Sequence, residues 1–177
     1  GVGPLVATIA LSGLAQFTLY TTWVLYTHFK FGWGPAEVGT SLFVVGLMAA
    51  LVQGVLLKHL LARFSPRRLA AFGLAAGALT YLGYALAPTG AAIYGVIVVG
   101  ALLGGAAPAA MQSIVSNAAG AREQGQTMGA VASLNSLMAV AAPVLGTALL
   151  GVVSHLPQGD VRIGLPFFFC AALQAAA

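Results

Sequence analysis

Ionisable side chains are scarce in this sequence, and they stand where they cannot act together. The carboxylates Glu37, Glu123 and Asp160 fall in or beside polar connections, and His28, His59 and His155 lie in separate ones. General acid–base catalysis needs such groups within hydrogen-bond reach of one substrate, and a metal site needs several ligands converging. No G-x-S-x-G elbow, H-E-x-x-H pair or C-x-x-C motif occurs. The residues point away from an enzyme: no catalytic residue, metal ligand or cofactor is expected. Cys170 stands alone in an apolar run, so no disulfide can form within the chain.

What remains inside the apolar runs is polar and uncharged: Gln16, Thr18, Thr21, Thr22, Gln53, Thr80, Gln112, Ser113, Ser133, Asn135 and Ser136, with Tyr20 and Tyr84. Threonine and serine hydroxyls can bond their own helix backbone. Glutamine and asparagine cannot be satisfied so locally, and must meet another helix or a wet cavity. Gln53 and Gln112 therefore read either as glue between helices or as cavity lining. No Asp, Glu, Lys, Arg or His is expected deep in any run, although such groups usually mark proton or ion pathways. A proton carrier, if there is one, is expected elsewhere.

The backbone devices are glycine and proline. Gly73-x-x-x-Gly77 and Gly100-x-x-x-Gly104 each place two small residues on one helix face, so that backbones can approach. Pro108 and Pro143 each free a carbonyl inside an apolar run and are expected to bend their helices, a device used where helices line a cavity.

These residues must be carried by elements that suit lipid. Only 6% of the 177 residues are charged and 60% are hydrophobic, whereas a soluble domain carries about a quarter as charges. The apolar runs are continuous rather than alternating, which excludes spanning strands. A helix needs about 20 apolar residues to cross the hydrocarbon core, and the sequence predicts an all-α integral membrane fold with spans near 4–26, 38–57, 69–87, 91–116, 128–153 and 165–177. The last run is short, so the sixth helix is read as incomplete. The chain begins at Gly1 without an initiator Met and is read as a piece of a longer protein. A net charge of +4 comes from only seven Lys and Arg with no basic stripe, which argues against nucleic acid. Lys58, Arg63, Arg67, Arg68 and Arg122 fall on one side of the membrane, and Lys30 and Arg162 on the other. Positive loops stay in the cytoplasm, so the N-terminus is expected there too. Tyr26 and Trp33 at the opposite end read as an interfacial aromatic belt.

The order of these features resembles the C-terminal half of the tetracycline-resistance type of drug/proton antiporter, within the major facilitator superfamily. Trp23-Val24-Leu25-Tyr26-Thr27 before Phe31-Gly32-Trp33 is similar to the end of that family's seventh helix. Gln53 precedes a basic loop, Ala62-Arg63-Phe64-Ser65-Pro66-Arg67-Arg68, similar to the family's A-R-x-G-x-R-R. Gly104 through Gln112 is similar to its G-G-x-x-x-P-A-x-Q, Arg122-Glu123-Gln124-Gly125 to its R-x-Q-G, and Pro143 with Thr147 to its x-P-x-x-x-T. Ala49 and Gly77 stand where tetracycline pumps carry a His and an Asp, so the substrate is left open.

The resemblance implies helices seven to twelve of a major facilitator fold. In that fold the first, second, fourth and fifth helices of each half face the central cavity, and the third and sixth lie outside. It therefore places Gln16, Tyr20, Gln53, Gln112 and Asn135 on the cavity wall, with Tyr84 and Cys170 facing lipid or neighbouring helices. Arg63, Arg67 and Arg68 would form a cytoplasmic latch, unless they serve topology alone. The implied function is secondary active, proton-coupled efflux of small organic molecules across the inner membrane by alternating access. The partners are a small-molecule substrate, the bilayer and an N-terminal six-helix half. Two other readings stay open: a transport-inactive truncated fragment, and a facilitator of a metabolite such as a sugar or organic acid.

Overall fold

The computed structural model describes residues 2–120 and 123–177, all helix and connection with no strand among them. Arg122, counted above with the cytoplasmic charges, lies outside the described residues. We number the helices α1 (Val2–Phe31), α2 (Pro35–Arg63), α3 (Pro66–Leu86), α4 (Gly90–Ala118), α5 (Gln124–Val153) and α6 (Leu165–Ala176). The first five are long and apolar enough to cross a membrane; α6, entered through a short 3₁₀ turn at Val161–Gly164, is shorter.

Local chemistry sets the ends. Helix α1 runs on past Tyr26 to Phe31, and within this stretch Thr27 returns its hydroxyl to the carbonyl of Trp23 at 2.8 Å. It stops at Gly32, whose φ of 69° suits a residue without a Cβ. At the start of α2 the Gly34 amide donates to the Glu37 carboxylate at 2.9 Å, and Pro35 takes the first helical position. Ser65 caps α3, accepting from the Arg68 amide, and Thr89 caps α4, accepting from that of Ala92.

Two helices depart from regularity near mid-length. In α2, residues Val52–Leu56 form a π turn, and the Val52 N–H is shared between the carbonyls of Ala49 and Met48. Helix α4 breaks at Gly105–Ala106, between Gly90–Gly104 and Ala107–Ala118. Pro108 explains the break, since it has no N–H to return to the carbonyl four residues back. Helix α5, by contrast, runs through Pro143 without interruption.

In lipid, apolar side chains gain little by leaving the solvent, so helices associate through close packing. Glycines mark the crossings. A Cβ on Gly73 of α3 would sit 2.4 Å from that of Ala107 on α4, and one on Gly100 of α4 would sit 2.6 Å from the Thr80 methyl. The Gly73/Gly77 and Gly100/Gly104 pairs thus face one another, with a Gly104 Cβ position 3.4 Å from the Gly73 carbonyl oxygen. Helix α5 crosses α1 where Gly146 meets Thr22, at 2.4 Å from the virtual Cβ. Helix α6 packs between α1 and α3, its Cys170 thiol buried against the carbonyl of Ala15.

The end opposite the basic loop is an aromatic cluster. Phe167 stands edge-on to Tyr26 at 4.4 Å, and Trp23 edge-on to Tyr84 at 5.2 Å. Tyr26 is fully buried and Trp33 nearly so, so they are not the lipid-facing belt expected from sequence. The Tyr26 hydroxyl donates to the carbonyl of Tyr84, and the Lys30 ammonium to that of Ala85 at 2.5 Å. Both carbonyls belong to the last turn of α3, where helical partners run out and positive charge is favoured. Lys30, expected in an exposed connection, is 2% exposed and lies over the rings of Tyr26 and Phe31. Lys58 and His59, on α2, are exposed.

Candidate functional site

An open cavity of about 420 Å³ is walled by residues from all six helices. Gln16, Tyr20, Gln53, Gln112 and Asn135 all line it, so the structure brings the five expected cavity residues together. Gln16 and Tyr20 lie one turn apart on α1, and the Gln16 amide donates to the Tyr20 hydroxyl at 2.8 Å. Gln53 is carried by the π turn of α2, whose extra residue per turn re-aims the side chains that follow. Gln112 follows Pro108 by one turn on α4, and both reach the cavity. Its Nε2 meets the Met128 sulfur of α5 at 3.7 Å, and a thioether is a weak acceptor. Asn135 of α5 faces Gly13 of α1: a Cβ there would lie 3.6 Å from the Asn135 Oδ1.

The third and sixth helices also contribute, contrary to the expectation that they lie outside. Gly73, Gly77, Tyr81 and Tyr84 of α3 line the cavity, and so does Gln174 of α6. The physical reason is the glycine pair on α3. Without side chains at 73 and 77, that helix presents a bare floor close behind α4. Gln174 was legible by the rule applied to Gln53 and Gln112, as an amide in an apolar run. The hydroxyls of Thr21, Thr22, Thr80 and Ser136 return to their own backbone at 2.5–3.0 Å, whereas the buried Thr18 hydroxyl finds no partner among the described residues.

No Asp, Glu, Lys, Arg or His lines the cavity among the described residues. Ala49 and Gly77, the positions at which the resemblance leads one to expect a His and an Asp, both line it. The wall is therefore apolar surface with a few neutral amides and phenols, which suits orientation of a small organic guest. Arg63, Arg67 and Arg68 are exposed, and among the described residues none is paired with a carboxylate. Arg162 is paired with Asp160 at 2.8 Å. Its hydrogen bonds hold the Asp160 carboxyl below the ordinary carboxylate range.

An apolar helical bundle around a neutral, largely apolar cavity that carries a few amides and phenols has the build of a membrane transporter. The chain belongs to the Major Facilitator Superfamily, which residues 4–177 match. That membership places it among transporters rather than enzymes, and its long apolar helices make it a multi-pass membrane protein. It is 36% identical over 141 residues to the class D tetracycline resistance protein of Salmonella ordonez, covering 80% of this chain and 36% of that one. It is 32% identical over 163 residues to the class G protein of Vibrio anguillarum, covering 92% and 41%. The chain thus spans well under half the length of these curated relatives. No solved structure gives a significant match.

Proposed function

We propose that the chain is the C-terminal six-helix half, helices seven to twelve, of a secondary active exporter of small organic molecules. The observation that carries this reading is the convergence of neutral polar side chains from separate helices on one open cavity. That cavity forms one wall of the substrate site, and an N-terminal half forms the other. The two walls rock to open alternately on each side of the membrane. Export is driven by protons, and the proton carrier resides on the other half, since among the described residues this wall carries no Asp, Glu, Lys, Arg or His. The names of the relatives favour a drug-like cargo, and the loss of charge at Ala49 and Gly77 favours one bound without an ion pair.

The protein sits in the inner membrane with the first residue of this segment in the cytoplasm. Lys58, Arg63, Arg67 and Arg68 are free on the basic side, whereas opposite them Lys30 is buried as a helix cap and Arg162 is paired. The exposed loop arginines are placed to act as a latch on helix ends as the cavity closes. The test is Gln112→Ala in the full-length transporter, with export and thermal stability measured in one preparation. Export falls about two- to tenfold, the worth of one neutral hydrogen bond, and stability holds, because Gln112 has only the Met128 sulfur to lose. Lower stability with unchanged transport per folded molecule would make Gln112 interhelical glue and end the claim.

A further inference from the structure

Helix α6 sends one side chain into the cavity, Gln174. It is 8% exposed, and its Oε1 is fully buried without a hydrogen-bond partner among the described residues. The amide reaches past α3 at Gly77, where a Cβ would lie 3.0 Å from the Gln174 Nε2 and 3.4 Å from its carboxamide carbon. Gly77 is therefore a window through which a peripheral helix reaches the central space. A buried amide left unmatched in lipid is costly, and interhelical glue would by definition have a partner. Among the other cavity amides, Gln16 donates to Tyr20 and Gln112 leans on Met128, while Gln53 and Asn135 are not buried.

We infer that Gln174 is a cargo-contacting residue, its amide hydrogen-bonding a hydroxyl, amide or amine of the guest at the cavity floor. The inference rests on the exporter reading above and adds to it a preference for cargo with a hydrogen-bonding group. Apolar guests of similar size gain nothing from this position. Gln174→Leu keeps the approximate volume and removes both polar atoms. Gly77→Ala leaves Gln174 in place but puts a methyl at the window, displacing the amide.

The test is equilibrium binding to the full-length transporter in detergent, with melting temperatures measured alongside. Two probes are used: tetracycline, rich in hydroxyl and amide groups, and tetraphenylphosphonium, which has none. Gln174→Leu and Gly77→Ala are each expected to weaken tetracycline binding about two- to tenfold and to leave tetraphenylphosphonium unchanged. Unaltered tetracycline affinity in both variants would overturn the inference and leave the exporter reading standing. So would equal loss of both probes with a lowered melting temperature, which would make Gln174 structural. A wild type that binds tetraphenylphosphonium and not tetracycline would also overturn it. If the wild type bound neither probe, the exporter reading would fall, and the inference with it.

Discussion

Gly73→Ala is the sharpest test of how this bundle is held together. The new methyl would sit 2.4 Å from the Ala107 Cβ, where carbon atoms prefer about 3.5–4.0 Å. The overlap, roughly 1.4 Å, cannot be relieved by a rotamer change, because alanine has none and both atoms are fixed to helix backbones. Helices α3 and α4 must separate, and overpacking of this kind costs about 1–3 kcal/mol. Ala107→Gly removes the opposing atom. The next contacts, 3.2 Å to the Ala107 Cα and 3.4 Å to its nitrogen, need only a few tenths of an ångström. On its own, Ala107→Gly costs up to about 1 kcal/mol of helix propensity. The double variant is therefore expected close to Ala107→Gly alone, with a favourable coupling of about 1–3 kcal/mol. Wild type, both singles and the double would be compared by reversible denaturant unfolding in mixed micelles. Additive effects, or a Gly73→Ala protein as stable as wild type, would refute the proposed backbone contact.

Lys30→Met keeps the apolar stem but strands the buried carbonyl of Ala85, and is expected to cost about 1–3 kcal/mol in the same assay; an unchanged stability would show that Lys30 is no cap. The Asp160 carboxyl is held below its ordinary value by the Arg162 side-chain hydrogen bond, with the Arg162 amide second. A depressed pKa gives stabilisation that is present above the ordinary value of 3.8 and lost as pH falls through the lower one. The Arg162 amide resonance should therefore hold its position at neutral pH and move only in that acid window, and Asp160→Asn should abolish the movement. With Cys170→Ser as background, a cysteine placed at position 65 should react with impermeant thiol reagents from the cytoplasm only, and one at position 89 from outside only. The reverse pattern would invert the proposed topology.

Composition and continuity of the apolar runs made the helical membrane architecture legible, because lipid leaves the backbone few alternatives. The neutral amides were legible for the same reason: Gln53, Gln112 and Asn135 had no partner on their own helix and had to meet something, whereas Gln16 finds Tyr20 one turn away. What sequence could not supply was the identity of tertiary partners. Lys30 and Tyr26 looked like membrane-boundary residues, and only the proximity of the α3 terminus turns them into caps. The π turn at Val52–Leu56 has no proline to announce it. The entry of Gln174 depends on a missing side chain on a different helix, Gly77, a relation that no pattern within one run can express.

The caps on α3 bear on where this bundle can flex. Tyr26 and Lys30 tie the last turn of α3 to α1, and Phe167 wedges α6 against the same joint. These three helices are riveted at the end opposite the basic loop and must travel together. Helices α2 and α4 are articulated instead, one by its π turn and the other by the break at Gly105–Ala106. Both articulations lie beside the cavity, with a Gly105 Cβ position 3.1 Å from Val52. The bundle thus resembles a stiff frame carrying two jointed staves, and pressure on the cavity wall would deflect the staves before the frame.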